Sequence, residues 1–325
     1  MARALQVPKL GIYPMYPALP PWLAFTAGKI WHVKPYSGSD ANSGREPHTA
    51  FATLAAALAA ATENRNDIVL MYSEHNTGTL TSDYQATMLD WNKNGVHLIG
   101  VNSGVSISPR SRISAISTWT SANPAMKVSA SNCYFANVQI IMDATDTTPL
   151  GALSVTGSRC RFDNCHVYGI VYAANDIVGA YSLLLSGAEE IEFNGCQFGS
   201  DRIAKGAQAN SVLKFASVAK NIVFRDCIFR LVSTSATNHV FVRAAAGSLD
   251  GSVAFIRCQG INSKHRNVGA AELTNAMVVA ADAGGDVFLS ADTTFQAADV
   301  NASDAGNVYG AAAATSGFAV PLTKS

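Results

Sequence analysis

Six cysteines are the residues of this 325-residue chain whose spacing most invites a chemical reading. Cys165, Cys196, Cys227 and Cys258 recur every 31 residues, and Cys133 and Cys160 precede them. Thiolates in paired knuckles hold zinc, and neighbouring thiols can close disulfides. A zinc knuckle needs closely spaced pairs, whereas Cys160 and Cys165 have four residues between them and no second knuckle. A constant step predicts instead that the thiols stack as one interior column, with Cys133 and Cys160 at the foot of a neighbouring one. Reduced cysteine is small and commonly buried. No metal ligand and no cofactor-binding residue is expected.

Cleavage of polysaccharide calls for cooperating carboxylates as acid and base. The candidates are Glu189-Glu190, Asp163 and Asp226 in corresponding bends, and the loops Asp40 to Gly44 and Asp282 to Asp286. Adjacent glutamates point in different directions and fit the rim of a bend. Bend aspartates need no catalytic reason, and neither loop completes a calcium-binding pattern. The seven histidines are scattered without HExxH, and GxSxG, P-loop and GxGxxG are absent. His166 and His239 sit in or beside strands and read as surface or satisfied core residues. The expectation is a non-enzymatic protein with no catalytic residue. The alternative is a protein that binds or cleaves polysaccharide, with sugar on Trp91, Trp119, Tyr168 or Tyr172.

The elements that position these residues follow from the repeat. Phe162, Phe193, Phe224 and Phe255 keep the same 31-residue step as the cysteines. An earlier copy, Cys133-Tyr-Phe135-Ala-Asn-Val138, and a weaker one, Val96-His-Leu98, lie upstream. Alternation such as Ile222-Val-Phe224 marks an extended segment with one apolar face. Asn164, Gly195 and Asp226 before the cysteines are bend residues. A further strand precedes each copy, as at Leu183-Leu-Leu185 and Val240-Phe-Val242. Three short strands per repeat, stacked on their successors, form a parallel β-helix. The phenylalanines and cysteines are then its structural core ladder.

Outside the repeat, residues 1–30 form an extended arm with Pro8, Pro14, Pro17, Pro20 and Pro21, which forbid a helix. Tyr13, Tyr16, Trp22 and Phe25 would anchor this arm on a partner. Residues 31–72 hold an opening strand, a loop and a capping helix. There Phe51, Leu54, Ala55, Leu58 and Ala61 share a face that plugs the solenoid end. Coils are expected over 73–290 and a C-terminal cap or tail over 291–325. Charged residues make up 14% and the net charge is zero, which argues against nucleic acid and anionic membrane as partners.

The run Trp31-His-Val33, Ser37-Gly-Ser-Asp40-Ala-Asn42-Ser-Gly44, Phe51 to Leu58 and Asn66-Asp67-Ile68-Val69-Leu70 resembles the start of pectate-lyase-like proteins. The resemblance extends over roughly residues 30–290 and implies an all-β fold, a right-handed parallel β-helix with an N-terminal capping helix. The polygalacturonase signatures and the lyases' calcium-binding aspartates and catalytic arginine are not matched. Within this family the chain is most similar to bacteriophage virion structural proteins, head decoration proteins or tail spikes. That likeness implies a capsid decoration (cement) protein in the virion, assembled in the bacterial host cytoplasm. Its partners would be other virion proteins such as the major capsid protein, and its own copies in a homotrimer.

Overall fold

Each strand expected within the repeat forms, and the chain returns to the same sheet once per coil. The structure is a computed structural model and describes residues 28–76, 79–101, 111–169, 171–263, 271–297, 299–301 and 308–309. Among these, strands build three parallel sheets of ten, eight and eight strands, plus one short antiparallel hairpin at Glu74–Asn76 and Thr79–Thr81. In one coil Arg161–Asp163 lies in the first sheet, His166–Tyr168 in the second and Tyr181–Ser186 in the third. Glu192–Asn194 then pairs back onto Arg161–Asp163, with Phe193 beside Phe162. The chain is an all-β parallel β-helix.

Two one-residue corners make the short period possible. Between the first and second sheets, Asn137, Asn164, Gly195, Asp226 and Arg257 all have φ between 52° and 61°. A single left-handed residue between extended neighbours turns the strand sharply, and asparagine and glycine tolerate it best. Entering the first sheet, Asn132, Arg159, Glu190 and Asn221 do the same, with φ of 53° to 59°. The residue after each corner points inward. Cys165, Cys196, Cys227 and Cys258 follow the first corner, and Cys133, Cys160, Ile191 and Ile222 the second, all buried.

In-register stacking fills the core. The rings of Phe135, Phe162, Phe193, Phe224 and Phe255 lie nearly parallel, with centroids 4.6, 4.8, 4.9 and 5.0 Å apart. The thiols of Cys196, Cys227 and Cys258 each donate to the carbonyl of the phenylalanine in the coil before, at 3.3 to 3.5 Å. All six cysteines are free and buried. Burial pushes the Cys196 and Cys227 thiols well above the ordinary cysteine range.

The coils reach further than the repeat suggested, at both ends. Ile30–Val33 and Asp67–Tyr72 already belong to the first sheet. Beyond residue 290, Thr294–Phe295, Asp299–Asn301 and Val308–Tyr309 continue the second, third and first sheets. Phe295 explains the first of these, since its ring enters the core against Phe229, Phe241 and Phe255. The capping helix spans Leu54–Ala60 and buries Leu54, Ala57 and Leu58. Ala55, expected on that face, is exposed and Ala57 takes its place. The helix begins at Leu54 because the Thr53 hydroxyl caps it by accepting from Ala56 N. Asp83, from the second sheet, accepts from Leu54 N at 3.1 Å. The arm residues Tyr13, Tyr16, Trp22 and Phe25 and the tail beyond 309 lie outside the described residues. Among the described residues, no helix is long and apolar enough to cross a membrane.

Candidate functional site

The outer face of the second sheet carries the arrangement with the most chemical content. Outward positions stack as Arg112, Gln139, His166 and Gln197, each in register with the next. A second outward row runs Ser114, Ile141, Tyr168, Gly199 and Arg230. Outward residues on a solenoid normally meet water, yet Gln139, His166 and Gln197 are only 3%, 5% and 4% exposed. The segments that leave these strands toward the third sheet supply Asp143, Val171, Asp201 and Arg202. Together they line a cleft of about 380 Å³.

Gly199 is the local reason for the shape. It ends its strand at φ +84°, and a Cβ there would stand 2.1 Å from the Arg230 carbonyl oxygen. Only glycine lets the two coils close at this point. The Gly199 carbonyl in turn faces His166 Nε2 at 3.4 Å, while His166 Nδ1 lies 2.9 Å from Gln139 Nε2. The Oε1 atoms of Gln139 and Gln197 are buried with no hydrogen-bond partner among the described residues.

Charge surrounds this ladder. Arg230 pairs with Asp201 at 3.6 Å, and the Arg202 guanidinium lies over the Tyr172 ring at 5.7 Å. Burial holds Asp143 above the usual carboxylate range, against the Tyr172 hydroxyl that donates to it and the nearby Arg202 and Arg112. Burial takes His166 down to about 4; the Gly199 carbonyl opposes this, and Arg230 and Arg112 reinforce it. The imidazole is therefore neutral at neutral pH. The cleft thus combines hydrogen-bond acceptors, three guanidiniums, a carboxyl that holds its proton unusually well, and the Tyr168 ring. Such a set can bind a polar, partly anionic chain and pass it a proton.

Residues singled out from the sequence divide sharply. Tyr168 lines the cleft, and Tyr172 stands beside it, donating to Asp143 beneath the Arg202 guanidinium. Trp91 and Trp119 do neither: both are core residues, their indole nitrogens donating to Val96 O and Ser121 O. His166 is neither surface nor ordinary core but the centre of the cleft ladder. His239 is buried, and its Nδ1 finds no hydrogen-bond partner among the described residues. Glu190 pairs with Arg159 and Glu189 with Lys220 on the rim. Asp163 and Asp226 are not equivalent. Asp163 is a strand residue in register with Asn194, whereas Asp226 sits at the corner and binds Arg257 at 2.7 Å. Asp40 accepts from Ala52 N, Thr53 N and the Thr53 hydroxyl, so it ties the loop to the capping helix.

Sequence reading missed Arg112, Gln139, Asp143, Gln197, Asp201, Arg202 and Arg230. A signal existed, since the second residue after each first corner (Gln139, His166, Gln197) is polar in three successive coils. Their burial depends on segments of variable length that the repeat does not place. Among the described residues, no three His, Cys, Asp or Glu side chains are grouped to hold a metal ion.

No protein-family model and no curated protein matches this chain. Among solved structures it is similar to the pectate lyase Pel9A, at 13% identity over 82% of this chain and a TM-score of 0.55. It is also similar to a rhamnogalacturonan lyase, at 14% identity over 81% of this chain and a TM-score of 0.53. The chain spans 62% of the pectate lyase and 67% of the rhamnogalacturonan lyase. A protein of Geobacillus virus E2, ORF18, aligns at 12% identity over 72% of this chain and 49% of its own; its TM-score of 0.43 carries no argument. The TM-scores of the two lyases show a shared fold. They also correct the expectation of a non-enzymatic protein, because those two structures that share the fold are enzymes. Asp143 and Asp201 line the same cleft, Asp201 paired there with Arg230.

Proposed function

We propose that this protein binds an acidic polysaccharide along the outer face of its second sheet and acts on it there. The observation that carries the reading is the buried ladder Gln139, His166 and Gln197 at the floor of the cleft. A solenoid has no structural need for polar side chains sealed on its outer face with acceptors left open. Coils repeat about every 4.8 Å, a step comparable with one sugar ring, so a chain lying along the axis meets the same row of groups at each ring. With His166 neutral, three arginines against two aspartates leave the cleft positive by one charge, and by two when Asp143 holds its proton. Tyr168, on the cleft lining, offers its ring to the sugar. Asp143 is the proton donor, its carboxyl kept protonated to higher pH by burial.

The virion setting remains a proposal about the same rod. A particle-borne fibre, trimeric and attached through the major capsid protein or another virion protein, would use such a cleft to hold host polysaccharide.

The test is incubation of purified protein with polygalacturonate. Binding is expected by calorimetry, together with release of reducing or unsaturated ends. Asp143→Asn should abolish release while binding persists. Release by that variant at the wild-type rate would remove Asp143 from the chemistry, and absence of binding to acidic polysaccharides would remove the reading.

A further inference from the structure

Hydrogen-bond polarity inside the cleft is set by one atom that cannot change its role. The Gly199 carbonyl can only accept, so the His166 nitrogen facing it, Nε2, carries the ring proton. In a neutral imidazole Nδ1 is then an acceptor, and the group 2.9 Å from it must donate. Gln139 therefore turns its amide NH2 to the ring and keeps Oε1 on the other side, where it has no partner among the described residues. The reverse orientation would set two acceptors against each other, at Nδ1 if the proton stays on Nε2 or at Nε2 if it moves to Nδ1. Gln197, one coil beyond His166, likewise holds a buried Oε1 without a partner among the described residues.

We infer that Gln139 and Gln197 make the cleft select ligands that donate hydrogen bonds, free hydroxyls rather than their esters or ethers, and that His166 is the positioning residue that holds Gln139 in this state. The two acceptors are separated by two coils, about 10 Å, so they meet hydroxyls on different rings of one chain. The selection rests on the polysaccharide reading and deepens it by naming which decorated forms are refused. A buried acceptor facing an ester oxygen stays unpaired, whereas a hydroxyl satisfies it. Burial keeps His166 neutral at neutral pH, with Arg230, Arg112 and Asp201 as the charged groups around it, so the relay does not reverse there.

Two measurements on the full chain decide the matter. Nitrogen-15 spectra at neutral pH should show the His166 ring protonated on Nε2 and bare on Nδ1. A ring protonated on Nδ1 overturns the inference whether or not any glycan binds. Calorimetry then compares oligogalacturonate with the same oligomer O-acetylated on its ring hydroxyls. The acetylated form should bind at least roughly tenfold more weakly, and equal affinities overturn the inference. His166→Phe frees Gln139 to rotate and should bring the ratio close to one. His166→Asn, whose side-chain oxygen can still accept from Gln139, should restore part of it. An unchanged ratio in a folded His166→Phe variant removes His166 from the mechanism. If neither oligomer binds, the polysaccharide reading fails, while the ring spectrum still decides the orientation of Gln139.

Discussion

The outer faces of the first and second sheets are built on the same coils, yet they treat polarity in opposite ways. On the first sheet Arg161 binds Asp163 at 2.9 Å and Glu192 at 3.4 Å, and Glu192 also lies 3.7 Å from Arg225. The Tyr134 hydroxyl donates to Asp163, which closes the row. Every group in that ladder has its partner within the protein, and most are half-buried. On the second sheet the corresponding row is sealed, and two glutamine oxygens are left without partners among the described residues. A face that satisfies itself has no need of a ligand. A face that buries open acceptors pays for them in stability, and the offset comes from whatever binds.

The comparison can be sharpened by substitutions of decreasing effect. Phe224→Ala removes a ring shared by the core behind both faces. It should cost about 3 to 5 kcal/mol in chemical denaturation, and a loss under 1 kcal/mol would contradict the stacked core. Gly199→Ala and Gly187→Ala come next as a matched pair. Both glycines have positive φ, +84° and +72°. A Cβ at Gly187 meets nothing within 4 Å, whereas one at Gly199 strikes the Arg230 carbonyl. Gly187→Ala should cost about 1 to 2 kcal/mol and leave binding intact. Gly199→Ala should cost more and damage the cleft. Equal costs would mean that the close approach of the coils there is unimportant.

Protonation acts on both faces, since His32 and His97 lie in the first sheet and His166 in the second. Burial holds His166, His32 and His97 down to about 4. For a group whose folded value lies below its unfolded one, stability is full above pH 6.5 and is lost as pH falls toward 4. Asp83 is pushed up to about 6 by burial, so its contribution runs the other way and is lost as pH rises from 3.8 to 6. Three histidines outweigh one aspartate, and melting temperature should fall on acidification from pH 6.5 to 4. His166→Asn should flatten this slope, and Asp83→Asn should steepen it. The smallest effect belongs to the first-sheet ladder. Arg161 is 40% exposed, and Arg161→Met should cost less than about 1 kcal/mol, with glycan binding unchanged.

Much of the fold was legible because a constant 31-residue step admits few structures. The Phe and Cys positions, the alternation around Ile222 and Phe224, and the residues before each cysteine led directly to stacked coils. The end of the rod was less legible, since Thr294–Phe295 and Val308–Tyr309 continue the sheets without repeating the motif. The cleft was almost illegible. Gln139 and Gln197 occupy outward positions, where polar residues are ordinary, and nothing local announces that Val171, Asp201 and Arg202 close over them. Trp91 and Trp119 misled for the converse reason, because their ring nitrogens are satisfied by backbone carbonyls inside the core.

The most direct test of the account sets the two faces against each other in one binding measurement. Affinity for polygalacturonate is determined for wild type, for a Gln139→Met, Gln197→Met double variant, and for an Arg161→Met, Glu192→Gln double variant, each shown to be folded by its melting curve. The account predicts that the second-sheet variant loses at least about tenfold in affinity and the first-sheet variant keeps it. Binding that survives the glutamine substitutions, or that is lost with the first-sheet ladder, would contradict it.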